Sequence, residues 1–163
     1  MAYTTIDNPH KFFNTVLYTG NGTTDHAITG VGFQPDWTWL KKRNNSDDHI
    51  LQDVVRGATK YLISNSTAVE GTYAEGFKSF DSDGFTLGNA NNTNQNTHTF
   101  VAWNWKADSS TSSNGNGSIT STVSVNSISG FSIVSYTGTG SNATVGHGLG
   151  VAPSLIINKC RSA

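Results

Sequence analysis

The stretch "THTFVAWNWKA", Thr97–Ala107, alternates with a period of two, so Val101, Trp103 and Trp105 share one face. "DWTWLKKR", Asp36–Arg43, does the same: Trp37, Trp39 and Lys41 lie on one side, Thr38, Leu40 and Lys42 on the other. This alternation in aromatic and aliphatic runs predicts strands. "FFNTVLY", Phe12–Tyr18, is apolar on both faces and reads as a strand covered on both sides. "HILQDVV", His49–Val55, is a further short strand, and "FKSFDSDGFTLG", Phe77–Gly88, is a hairpin turning through Asp81-Ser82-Asp83-Gly84. "RGATKYLISN", Arg56–Asn65, is the one helix expected, short and capped by Asn65. Short strands joined by Gly, Asn and Asp turns predict an all-β protein, an antiparallel β-sandwich with one short helix.

A second pattern runs across these strands. At an offset of 118 residues, Phe13–Asn44 overlies Phe131–Ser162 without a gap. Phe13, Val16, Tyr18, Thr19, Gly20, Gly22, Gly30, Gly32, Pro35, Lys41 and Arg43 recur as Phe131, Val134, Tyr136, Thr137, Gly138, Gly140, Gly148, Gly150, Pro153, Lys159 and Arg161. Four of the pairs are glycines and one is proline, residues that set turn geometry. The reading is a tandem repeat. Its first unit spans 1–107; a Ser/Gly/Asn linker, expected to be flexible, spans 108–118; the opening strands of a second, incomplete unit span 119–163. A fragment of that size is too small to hold a core alone, so the expectation is a longer gene product or, as the alternative, strands that complete their sheet on another subunit.

Composition narrows the function. Charged residues are 13% of the 163, against about 25% in a typical globular domain, and the net charge is −1. Without a basic patch, nucleic-acid binding is not expected. No apolar run reaches the roughly 20 residues of a membrane-spanning helix, and "MAYTTIDNPHKFF" lacks the features of a signal peptide. The one cysteine, Cys160, cannot form an internal disulfide.

The series "GVGFQPDWTWLKKRN", "DVVRGATKYLISNST", "FDSDGFTLGN" and "TFVAWNWKA" resembles a repeat module of tail-fibre and other virion proteins of marine, cyanophage-like bacteriophages. "GFSIVSYTGTGSNATVGHGLGVAPSLIINK" resembles the start of the next such module. The resemblance covers nearly the whole chain and implies a lectin/glucanase-like sandwich of the jelly-roll or concanavalin-like kind. It also implies a virion structural protein, made in the bacterial host cytoplasm. Such a protein would form a homo-oligomer, commonly a trimer, dock on a tail adaptor, tail tube or capsid protein, and meet host-surface glycans.

Candidate residues follow from both readings. Trp37, Trp39, Trp103 and Trp105 are candidates for stacking on sugar rings, with filling of the sandwich core as the plainer expectation. Asp53 and Arg56 are expected to pair at a strand end, with Gly57 allowing the turn that follows. Asp81 and Asp83 have the spacing that opens a calcium loop, but no later acidic ligand follows, so with Gly84 they read as a hairpin turn. His10, His26, His49, His98 and His147 are scattered without metal-ligand spacing, and Thr29 stands where a repeat of His147 would be. No metal or cofactor is expected. Glu70 and Glu75 are the only glutamates, and neither begins the Glu-x-Asp-x-x-Glu pattern of concanavalin-like glucanases. With no nucleophile elbow and no phosphate loop, the expectation is a binding or structural protein rather than an enzyme. The rivals are a carbohydrate-binding recognition module and, behind it, a glycan-degrading enzyme.

Overall fold

The structure, a computed structural model, describes residues 6–162. Met1–Thr5 and Ala163, the outer ends of the first and last segments assigned from sequence, lie outside the described residues. Among the described residues a single 3-10 turn, Pro9–Lys11, leads into twelve strands and one short α-helix. The strands are β1 Phe13–Thr19, β2 His26–Thr29, β3 Trp37–Lys42, β4 Ile50–Asp53, β5 Lys60–Ile63, β6 Gly71–Thr72, β7 Phe77–Asp81, β8 Gly84–Leu87, β9 Thr99–Trp105, β10 Ser112–Asn114, β11 Ser121–Asn126 and β12 Phe131–Ser135. The helix, α1, is Asn91–Asn94.

All ladders between strands are antiparallel. One sheet has the order β1-β9-β3-β4-β5-β6, a second β2-β8-β7, and a third β10-β11-β12. The first two share a core. Leu40, Ile50 and Ala102 from the six-stranded sheet meet Ile28, Phe77, Phe85 and Leu87 from its partner. Phe77 stacks on Phe85 at 5.0 Å, and the core-facing Tyr18 stacks on Phe100 at 5.0 Å. Burying each such ring stabilises the fold by about 1.5–3 kcal/mol. Burial also pushes the Tyr18 hydroxyl well above its ordinary pKa, and that hydroxyl donates to the Thr93 carbonyl at 2.7 Å. The chain is therefore all-β with one short helix, but the helix is not where the sequence placed it.

Arg56–Asn65 is a turn followed by β5. Gly57, at φ 94°, closes the turn, and its N–H donates to the Asp53 carbonyl at 3.0 Å. Beyond it, Ile63 and Leu62 pair with Ile50 and Leu51 of β4. The neighbouring strand offers this apolar run a ladder and a buried face, which outweighs a weak helical preference. The helix forms instead in an Asn-rich stretch, held by Asn94. That buried side chain donates to Asn21 Oδ1 and to the carbonyls of Thr23 and Gly88, and accepts from the Asn21 N–H. Its Oδ1 also lies 2.7 Å from His26 Nδ1.

Residues 108–118, read as a flexible linker, contain β10, whose Ser112–Asn114 pair with Val123–Ser121 of β11. Small polar side chains bury little apolar surface, but their backbones still fill a ladder. The sheet that begins there lies at one end of the six-stranded sheet. Phe131 of β12 stacks 5.8 Å from Trp37 and 6.3 Å from Trp105, and Asn126 Nδ2 donates to the Ala107 carbonyl at 3.2 Å. After β12 the chain runs on to Ser162 without a further strand. Val151, Leu155, Ile156 and Ile157 of this stretch are exposed. Its end is tied back to the loop before β6: Lys159 Nζ donates to the Ser66 carbonyl at 2.7 Å and Arg161 makes two bonds to Glu70.

Candidate functional site: the aromatic outer face

β3 and β9 are neighbours in register, with Trp37 opposite Trp105 and Trp39 opposite Trp103. Alternation then sets all four indoles on one face, while Leu40, Ala102, Thr38 and Asn104 turn inward. The tryptophans are absent from the buried core and half-buried on the opposite side. This corrects the expectation that they fill the core. Two aromatic strands side by side place their rings on the same face, and Leu40, Phe100 and Ala102 already occupy the inner one. β1 extends the outer face with Phe13, Thr15 and Leu17, the last 60% exposed.

The face has two halves. At the Trp37 end the rings are covered: Trp37 and Trp105 lie 4.5 Å apart, Phe13 packs on Trp105 at 4.8 Å, and Phe131 stacks over both indoles. At the other end Trp39 and Trp103 stand 6.2 Å apart with planes at 76°, a floor and a wall rather than a stack. Trp39 Nε1 donates to His49 Nδ1 at 3.0 Å, which sets the His49 proton on Nε2. Burial, and then the nearby Lys41 charge, hold the His49 pKa below its ordinary value against the opposing pull of Asp48, so the ring is neutral at pH 7. The Trp103 indole N–H has no protein partner among the described residues, yet it is not sealed from solvent. Lys41 Nζ is engaged by the carbonyls of Lys42 and Asn45, and Asp48 accepts from Asn65 Nδ2 at 2.9 Å.

The other candidates are fully engaged. Arg56 Nε lies 2.5 Å from Asp53 Oδ2, its N–H donates to Asp53 Oδ1, and a second guanidinium nitrogen reaches Glu70 at 3.4 Å. Asp53 and Glu70 thus meet on one arginine, and Arg161 closes the cluster. Hydrogen bonds from Arg161 are the main cause that holds the Glu70 carboxyl below its usual range. Asp81 accepts from Ser79 and Thr86, while Asp83 accepts the backbone N–H groups of Gly30 and Gly32 at 3.1 and 2.6 Å. Both acids are used within the hairpin and the loop that it braces. Gly84 is required there, since a Cβ would collide with the Ile28 carbonyl oxygen. Among the described residues no group of three or more His, Cys, Asp or Glu is placed to hold a metal, and no helix is long and apolar enough to cross a membrane. His147 is a turn residue whose Nδ1 accepts from the Leu149 N–H at 3.2 Å.

Three buried groups carry no legible sequence signal. Lys42, inside a Lys-Lys pair, is fully buried over the Phe100 ring, paired with Asp47 and bonded to Gln95 Oε1 at 2.6 Å. Asp36 accepts the Ala107 N–H at 2.6 Å where β9 ends, and burial raises its pKa. Asn94 lies in a polar run that reads as loop.

The fold and face define an all-β module with an aromatic surface turned away from its core. Residues 8–163 match the family DUF7483, a domain of unknown function, and the chain belongs to that family. No curated protein and no solved structure matches it.

Proposed function

We propose that the chain is a non-catalytic bacteriophage virion protein, a fibre or appendage component. In this reading the first unit anchors it to the tail or capsid, and it contributes to host-surface attachment. The observation that carries the proposal is the outer face: four tryptophans with Phe13 and Leu17 form an apolar surface of the kind that marks an interaction site. The resemblance of four motifs to phage fibre modules supplies the setting. Partners of this kind are a tail adaptor, tail tube or capsid protein, further copies of the chain, and a host glycan. A jelly-roll or concanavalin-like sandwich agrees with two antiparallel sheets on one core. A tandem second unit is supported by turn geometry: Gly22, Gly30 and Gly32 have φ of 68°, 86° and 86°, and Gly140, Gly148 and Gly150 have 73°, 78° and 75°. Mass spectrometry of purified particles tests the proposal. The chain is expected in stoichiometric amounts among the virion proteins, and its absence refutes it.

The second reading is a carbohydrate-binding recognition module. What favours it is that Trp103 and Trp105 lie on the outer face, half-buried, rather than in the core. A glycan array with the full chain tests it: a recognition module must bind at least one glycan class, and silence across the array refutes the reading.

A further inference from the structure

We infer that the corner formed by Trp39, Trp103 and His49 is a binding subsite for one uncharged pyranose ring of a neutral glycan. This inference rests on the carbohydrate-recognition reading and names its ligand class and its place on the face.

At the covered half of the aromatic face, neighbouring rings already occupy the stacking positions on the indoles. Trp37 and Trp105 are stacked under Phe131 with interplanar angles of 20° and 23°. That leaves the Trp39–Trp103 corner, where one indole can lie under the C–H face of a sugar while the other meets its edge. The polar groups at the corner are mainly donors. His49 carries its proton on Nε2, a nitrogen with no protein partner among the described residues, because Nδ1 is committed to Trp39. The Trp103 N–H reaches solvent without a partner. Thr15, opposite Trp103 on β1, adds an exposed residue whose hydroxyl both donates and accepts. Such a set fits the hydroxyl and ring oxygens of a sugar.

The charge pattern selects against an acidic sugar. Lys41 and Asp48, the charged groups that act on His49, are opposite in sign, and each is already bonded to a neighbour in the fold. The cationic guanidinium of Arg56 is spent on Asp53 and Glu70. Lys41, the cation that acts on His49, gives two of its three N–H donors to carbonyls of the fold and is opposed there by the Asp48 carboxylate. A single stacked ring binds weakly, and many copies on one particle would add by avidity.

The test is a tryptophan-fluorescence titration of the full chain. The neutral probes are maltotriose, cellotriose and N,N′-diacetylchitobiose; trigalacturonate and 3′-sialyllactose are the acidic probes. At least one neutral sugar is expected to bind with a dissociation constant in the millimolar range, and tighter than either acidic one. Trp103→Ala should weaken that binding by about tenfold and Trp103→Tyr by less, because an aromatic face is retained. His49→Ala should weaken it by about threefold, while Trp37→Ala should leave it within about twofold. Thermal melting of each variant separates loss of binding from loss of fold. Tighter binding of the acidic sugars, or neutral binding that survives both Trp103→Ala and His49→Ala in folded protein, overturns the inference and leaves carbohydrate recognition standing. Silence across these probes and a full glycan array overturns the recognition reading together with the subsite.

Discussion

Phe13–Asn44 and Phe131–Ser162 share their glycines, their proline and their left-handed turns, yet they fold differently. In the first, β1 pairs with β9, β2 with β8, and β3 lies between β9 and β4. In the second, β12 pairs with β11, and no strand forms where β2 and β3 would recur. Leu155 and Ile156, aligned with Trp37 and Thr38, are 77% and 74% exposed. The difference teaches that turns are local and strands are not. A glycine takes positive φ because it lacks a Cβ, whatever surrounds it. A strand needs a neighbour to take its hydrogen bonds and a layer to cover its side chains.

The comparison breaks most visibly in the core of the first region. Phe100→Ala removes a fully buried ring stacked on Tyr18, and a loss of about 3–5 kcal/mol is expected. Val134→Ala, at a half-buried site in β12, should cost about 1 kcal/mol. Denaturant unfolding of both variants checks the contrast; equal losses would mean that the two regions share one core.

Next in size are the turns. Gly32→Ala and Gly150→Ala each force a Cβ into left-handed backbone where nothing stands within 4 Å, so about 1–2 kcal/mol of strain is expected at both. Equal costs support one turn geometry in two places, whereas a cost confined to Gly32 would break the correspondence.

The smallest effect is electrostatic, and two carboxylates oppose each other in it. Glu70 has a lowered pKa in the fold, so it contributes stability above its ordinary value of 4.5, and that contribution is lost as pH falls through the folded value. Asp36 has a raised pKa, so its contribution runs the other way, improving as pH falls toward and below its ordinary 3.8. Arg161→Ala should therefore flatten the acid loss of stability, and Asp36→Asn should steepen it. Melting temperatures between pH 7 and about pH 3.5 measure both slopes.

Much of the fold is legible in the residues alone. β1, β3, β4, β9 and the β7–β8 hairpin fall where alternation and the Asp-Ser-Asp-Gly turn place them, and Asp53 meets Arg56. β5 was not legible, because Lys60–Ile63 is too short for its period to separate helix from strand. β10 was not legible either, because composition reports burial and not backbone pairing. For the candidate site, the four tryptophans stand out in the sequence. His49 does not, since its link to Trp39 crosses from the start of β4 to β3.

By itself, then, the sequence determined the period-two strands, the turn glycines and the absence of excess charge, each a property of residues and their near neighbours. Which face of β3 and β9 became the core was decided only in the tertiary structure. Two adjacent strands can bury either side, and the second sheet, with Phe77, Phe85 and Leu87, covered the side of Leu40 and Ala102. The tryptophans were left on the outer side, where Phe131 stacks on one pair and the other pair meets at an open angle.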